Sequence, residues 1–94
     1  MSKQELNKTD ELKRLAGEVF EGAPDWVKWA AMDSAMADHN YLKNSWWYWF
    51  ESMPESKITY NIWYTHASEK AHCKNQPETD LPWTETILRR SDYE

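Results

Sequence analysis

The residues of this 94-residue chain best suited to hold a metal or to attack an electrophile are His39, His66, His72 and Cys73. His66 and His72 have five residues between them, the outer limit of the H-x₃₋₅-H spacing used by zinc sites. The sequence offers no second clear pair, and Cys73 beside His72 cannot easily share its tetrahedron. Adjacent residues also seldom reach the base-to-thiol geometry that activates a cysteine. The carboxylates of Glu51 and Glu55 straddle a turn at Pro54 and read as solvated surface. With only two glycines, Gly17 and Gly22, phosphate-cradling loops and the G-x-S-x-G elbow are excluded. The expectation is a protein that is not an enzyme and uses no metal and no cofactor.

The sharper signal is aromatic. Trp46-Trp47-Tyr48-Trp49-Phe50 is an unbroken run, and residues 24–66 hold eleven of the fourteen Phe, Trp and Tyr residues. In a strand, successive side chains point to opposite faces, so five aromatics cannot share one core. Two arrangements are open. Both sheet faces are covered, one by each helix, with tryptophan standing in for leucine and isoleucine. Alternatively one face is an exposed platform, on which Trp47 and Trp49 are joined by Trp29 and Trp63. Exposed aromatic patches mark interfaces, and Trp and Tyr dominate binding hot spots. Under the second arrangement the candidate binding residues are Trp29, Trp47, Trp49 and Trp63. The loop residues Asp38, His39, Asn40 and Tyr41 would then set specificity.

Elements must exist to position these residues. Leu12, Leu15, Ala16, Val19 and Phe20 recur at helical spacing and predict a helix over 9–21, capped by Thr9 or Asp10 and ended by Gly22 and Pro24. Three alternating runs predict strands over 26–33, 46–52 and 57–66, the last alternating most cleanly. Residues 34–45 form a long connection and residues 67–80 a polar loop with room for one helical turn. Pro82 opens a short C-terminal helix that aligns Trp83, Ile87 and Leu88, with Arg89 and Arg90 meeting its dipole. The fold class is α+β: a three-stranded antiparallel meander with an N-terminal helix and a short C-terminal helix. Residues 1–94 make a single small domain, with 1–8 and 91–94 as frayed tails.

Composition limits the partners. The net charge is −5, and the only adjacent basic pairs are Lys13-Arg14 and Arg89-Arg90. Duplex DNA binding rests on cations that neutralise phosphates, so nucleic acid is not an expected partner. No run of about 20 apolar residues occurs, so no membrane contact is expected. Val, Ile, Leu and Phe sum to 13 of 94 residues, but aromatics of roughly 150–250 Å² each can replace them in a core.

Ala23-Pro24-Asp25-Trp26-Val27-Lys28-Trp29-Ala30-Ala31-Met32-Asp33, then Trp46-Trp47-Tyr48-Trp49-Phe50-Glu51 and Pro54, resembles a recurring pattern. It is that of small tryptophan-rich accessory proteins of tailed bacteriophages. The closing Trp83-Thr84-Glu85-Thr86-Ile87-Leu88-Arg89-Arg90 is similar to their common ending. The chain departs from that pattern at 34–45, where the others have a tight turn. The resemblance implies a phage accessory protein in the cytoplasm of an infected bacterial host. Its class implies a non-enzymatic inhibitor that contacts a bacterial host or anti-phage defence protein, with self-association into a homodimer allowed. Two alternatives stand beside it: an aromatic module binding a nucleotide or single-stranded nucleic acid, and a structural component of the virion.

Overall fold

The structure, a computed structural model, describes residues 3–34, 46–65 and 69–94. Its elements are helix α1 (Lys3–Val19) and strands β1 (Trp29–Met32), β2 (Trp47–Phe50), β3 (Glu55–Lys57), β4 (Ile62–Tyr64), β5 (Lys70–His72) and β6 (Leu88–Arg89), with 3₁₀ turns at Trp83–Glu85 and Arg90–Tyr93. The fold is α+β, but the sheet is not the expected three-stranded meander. Four antiparallel strands run in the order β5-β2-β1-β6, and β3 and β4 form a separate two-stranded hairpin.

The helix buries the face that its spacing predicts. Leu15, Ala16 and Val19 are buried, with Leu12 and Phe20 packed beside them. It begins at Lys3, so Thr9 and Asp10 lie within it rather than at its cap. Gly22, with φ of 74°, supplies the left-handed residue just beyond the helix end, a conformation that costs glycine no Cβ clash.

β1 and β2 pair in register, Trp29 opposite Phe50 and Met32 opposite Trp47. Alternation then sorts their side chains. Ala30, Met32, Trp47 and Trp49 face α1 together with Leu88 and Cys73. Ala31, Tyr48 and Phe50 face the other way, where Trp63 of β4 covers them. Asp33 N–H donates to the Trp46 carbonyl at 3.0 Å and extends this ladder by one residue.

Three expectations are corrected. The run over 57–66 is not one strand. Residues 58–61 form a turn in which Asn61 takes φ of 57°, and β3 and β4 fold back on each other around it. The polar segment 67–80 contains β5, which adds to the edge of β2 with Ala71 opposite Trp49. Gln76 then clamps it: its Oε1 accepts the Trp47 N–H at 2.6 Å, and its Nε2 donates to the Trp47 and Cys73 carbonyls. The closing segment is not a helix. Ile87 packs on one side of the sheet and Leu88 on the other, which neighbours on one helix face cannot do. Thr86 Oγ1 accepts the Met32 N–H at 3.0 Å and donates to the Trp83 carbonyl at 2.7 Å, so the chain turns and adds β6 to β1.

Arg90, just after β6, is held by the chain that leads into β1. Arg90 donates to the carbonyls of Ala23, Pro24 and Val27. Neither Arg89 nor Arg90 therefore meets a helix dipole.

A polar clasp ties α1 to the segment after β5. Arg14 grips the Glu11 carboxylate with two nitrogens and donates to the Glu78 carbonyl, while Thr79 Oγ1 donates to Glu11 at 2.6 Å. The Arg14 and Thr79 hydrogen bonds pull the Glu11 carboxyl down from 4.5 to about 2. A carboxyl whose pKa is depressed on folding stabilises the native state above its unfolded pKa and loses that contribution as pH falls through the folded one. Stability is expected to drop between pH 4.5 and about 2, and more in the wild type than in Glu11→Gln. Thermal melts across that window check this. The effect is small, because the Arg14 side chain is 48% exposed.

Candidate functional site

Three of the four candidate tryptophans lie in the interior. Trp47 is fully buried, Trp49 is 7% exposed and Trp63 is 5% exposed. Their indole N–H groups are all taken by main-chain carbonyls: Trp47 by Pro77 at 2.9 Å, Trp49 by Val19 at 2.8 Å and Trp63 by Trp83 at 3.0 Å. The exposed-platform arrangement is thus corrected, and so is a covering by two helices: α1 covers one face and the β3–β4 hairpin part of the other. β2 is an inner strand of the sheet, so neighbouring strands flank its aromatics, which are all buried. Trp29 and Trp63 also lie across the sheet from Trp47 and Trp49 and do not join them. Asp38, His39, Asn40 and Tyr41, like His66, lie outside the described residues.

Trp29 differs. It is only half-buried, and its ring sits 5.8 Å from the Arg89 guanidinium carbon, within cation–π range. It lines an open depression of about 510 Å³ with Lys28, Arg89 and Arg90 and with the carboxylates of Asp25 and Glu94.

At the opposite edge of the same sheet face, Lys70 lies over two rings. Its Nζ is 4.3 Å from the centre of Tyr48 and 5.4 Å from that of Phe50. It donates to the Trp63 carbonyl at 3.2 Å and stands 3.8 Å from Asp33 Oδ2. Burial pushes the Lys70 pKa down and the Asp33 charge pushes it back up. Burial and the same charge both raise the Tyr48 phenol. His72 stacks against Tyr48 at 4.5 Å and meets Trp46 edge-on at 5.3 Å. These titratable groups are spent on one another and on the hairpin: Asp33 Oδ1 accepts the Trp63 N–H at 2.8 Å, and Ser34 N–H donates to the Asn61 carbonyl. The arrangement docks β4 onto the sheet.

Cys73 is buried, and desolvation drives its thiol pKa far up, away from the thiolate that nucleophilic chemistry needs. Among the described residues no three His, Cys, Asp or Glu side chains group as a metal site.

The surface feature that the sequence pattern concealed is the hairpin. Four large hydrophobic side chains are exposed among the described residues: Met53 (62%), Ile58 (65%), Tyr60 (55%) and Tyr93 (39%). The first three stand on the hairpin turn or on the strand's lead-in. Pro54 between them is buried and anchors the hairpin base. The available signal was Tyr60-Asn61, a turn-prone position inside an apolar run.

The chain matches no protein-family model, no curated protein and no solved structure. Among the described residues no helix is long and apolar enough to cross a membrane.

Proposed function

We propose that the protein is a non-enzymatic phage accessory protein that inhibits a bacterial host or anti-phage defence protein by direct contact, and that the β3–β4 hairpin is its contact surface. One observation carries this reading. Met53, Ile58 and Tyr60, on the hairpin turn or its lead-in, are each more than half exposed. Exposed large apolar side chains are what protein interfaces use as anchors. The phage origin and the class of target come from the sequence resemblance.

Tagged protein mixed with a bacterial lysate tests it. The wild type is expected to retain one stoichiometric bacterial protein. Ile58→Asp and Tyr60→Ala are each expected to lower its affinity by roughly tenfold or more, the cost of losing an interface anchor, with no change in melting temperature. Retention unchanged in both variants would show that the hairpin is not the contact surface.

A second reading rests on Trp29. Its ring, beside the Arg89 and Lys28 cations, offers a stacking surface to a small aromatic anion such as a nucleotide, in a depression that Asp25 and Glu94 also line. Quenching of tryptophan fluorescence by a nucleoside monophosphate, lost in Arg89→Ala, is the expected sign. Absence of quenching at millimolar nucleotide would dismiss it.

A further inference from the structure

The hairpin proposed as the contact surface has a free edge of defined chemistry, and a role for that edge rests on the same reading of the hairpin. Among the described residues β3 is paired on one side only, to β4, and Glu55, Ser56 and Lys57 are all exposed. In an antiparallel ladder, facing residues alternate. One pair exchanges both N–H···O bonds, and the next points its polar groups away from the partner strand. Ser56 faces Trp63. Trp63 donates its N–H to Asp33 Oδ1 and accepts Lys70 Nζ at its carbonyl, both on the side away from β3. Ser56 therefore directs its own N–H and C=O outward, through the free edge. Glu55 and Lys57 flank it with their side chains on one face, where Lys57 Nζ lies 5.2 Å from the Tyr64 ring.

We propose that this edge pairs with the same edge of a second copy of the chain, antiparallel about a twofold axis through Ser56. Ser56 then exchanges two N–H···O=C bonds with the partner's Ser56. The register sets Glu55 opposite the partner's Lys57 and Lys57 opposite the partner's Glu55, giving two cross-strand ion pairs. A slip of one residue breaks both. Edge strands usually carry a charge that repels another strand; the Glu-Ser-Lys triplet is instead complementary to itself in reverse. The β5 edge offers no such match, because a twofold axis at Ala71 sets Lys70 against the partner's His72 with no carboxylate between them.

Sedimentation velocity of the whole chain at low salt tests the pairing, using Glu55→Lys, Lys57→Glu and their equimolar mixture. The wild type is expected to be a dimer. Each variant alone sets like charges opposite each other twice, and its dimerisation is expected to weaken roughly tenfold or more. Mixing the two variants restores opposite charges at both positions and is expected to restore dimers. Ser56→Pro removes the outward N–H without touching a hydrogen bond inside the hairpin, and is expected to be monomeric. Should that variant fail to fold, the charge mixture decides alone, since Glu55 and Lys57 are exposed. A wild type that stays monomeric at high micromolar concentration, or a dimer indifferent to these changes, overturns the proposal. A monomer that still loses its target in Tyr60→Ala overturns self-pairing and leaves the target contact standing. A charge-sensitive dimer that retains no bacterial protein does the reverse.

Discussion

Trp47→Ala is expected to unfold the protein at ambient temperature or close to it. Trp47 is fully buried between α1 and the sheet, and its indole N–H is donated to Pro77. Deleting a buried tryptophan side chain costs about 3–5 kcal/mol, against a total stability of roughly 5–15 kcal/mol for a domain. For a chain of this size that lowers the melting temperature by roughly 20 °C. Trp47→Phe keeps part of the volume and loses the hydrogen bond, so it is expected to fall between the two. Trp49→Ala, which also frees the Val19 carbonyl at the end of α1, is expected to behave like Trp47→Ala. Calorimetry reads all three. A Trp47→Ala protein that melts at the wild-type temperature would contradict a core built around this side chain. Any loss of target binding in these variants follows from unfolding.

Asp33→Ala is the second large effect. Asp33 is fully buried, holds the Trp63 N–H and stands beside Lys70. Its removal strands a main-chain donor and a half-buried cation where the hairpin meets the sheet. Breaking a buried pair by deleting one member costs about 3–5 kcal/mol. Because the Lys70 side chain is 31% exposed, the expected loss is smaller, about 2–3 kcal/mol. Lys70→Met in the Asp33→Ala background is expected to recover part of it. It removes the cation and keeps an apolar stem over Tyr48 and Phe50. Denaturant melts of the two single variants and the double variant give the coupling. Strict additivity would show that Asp33 and Lys70 act separately.

Trp47 belongs to the part of the fold that was legible in the sequence, and Asp33 to the part that was not. Alternation over Trp29–Met32 and Trp47–Phe50 correctly separated the two faces, because both strands lie inside the sheet and period two decides what meets the core. The helical face of α1 was equally plain. What the pattern could not convey was long-range pairing. The cleanest alternation, Ile58 to Tyr64, belongs to a hairpin, because Asn61 accepts a left-handed backbone and Asp33 claims the Trp63 N–H from 30 residues away. β5 looked like a loop because Lys70 and His72 point away from α1 and only Ala71 and Cys73 point toward it. The tryptophans suggested a binding platform because type alone does not reveal burial. The covering depended on strands the sequence concealed: β4 brings Trp63 over one face, and β5 and β6 flank β2 and β1.

The hairpin turn, and not the aromatic strand, is the surface expected to meet the target. A photo-reactive phenylalanine analogue placed at Tyr60 or at Trp29, with the protein expressed in bacteria and irradiated, tests this most directly. Position 60 is expected to give an adduct with one bacterial protein, heavier than two copies of the chain and absent from position 29. An adduct from position 29 alone, or none from position 60 beyond a second copy of the chain, would contradict a target contact through the hairpin.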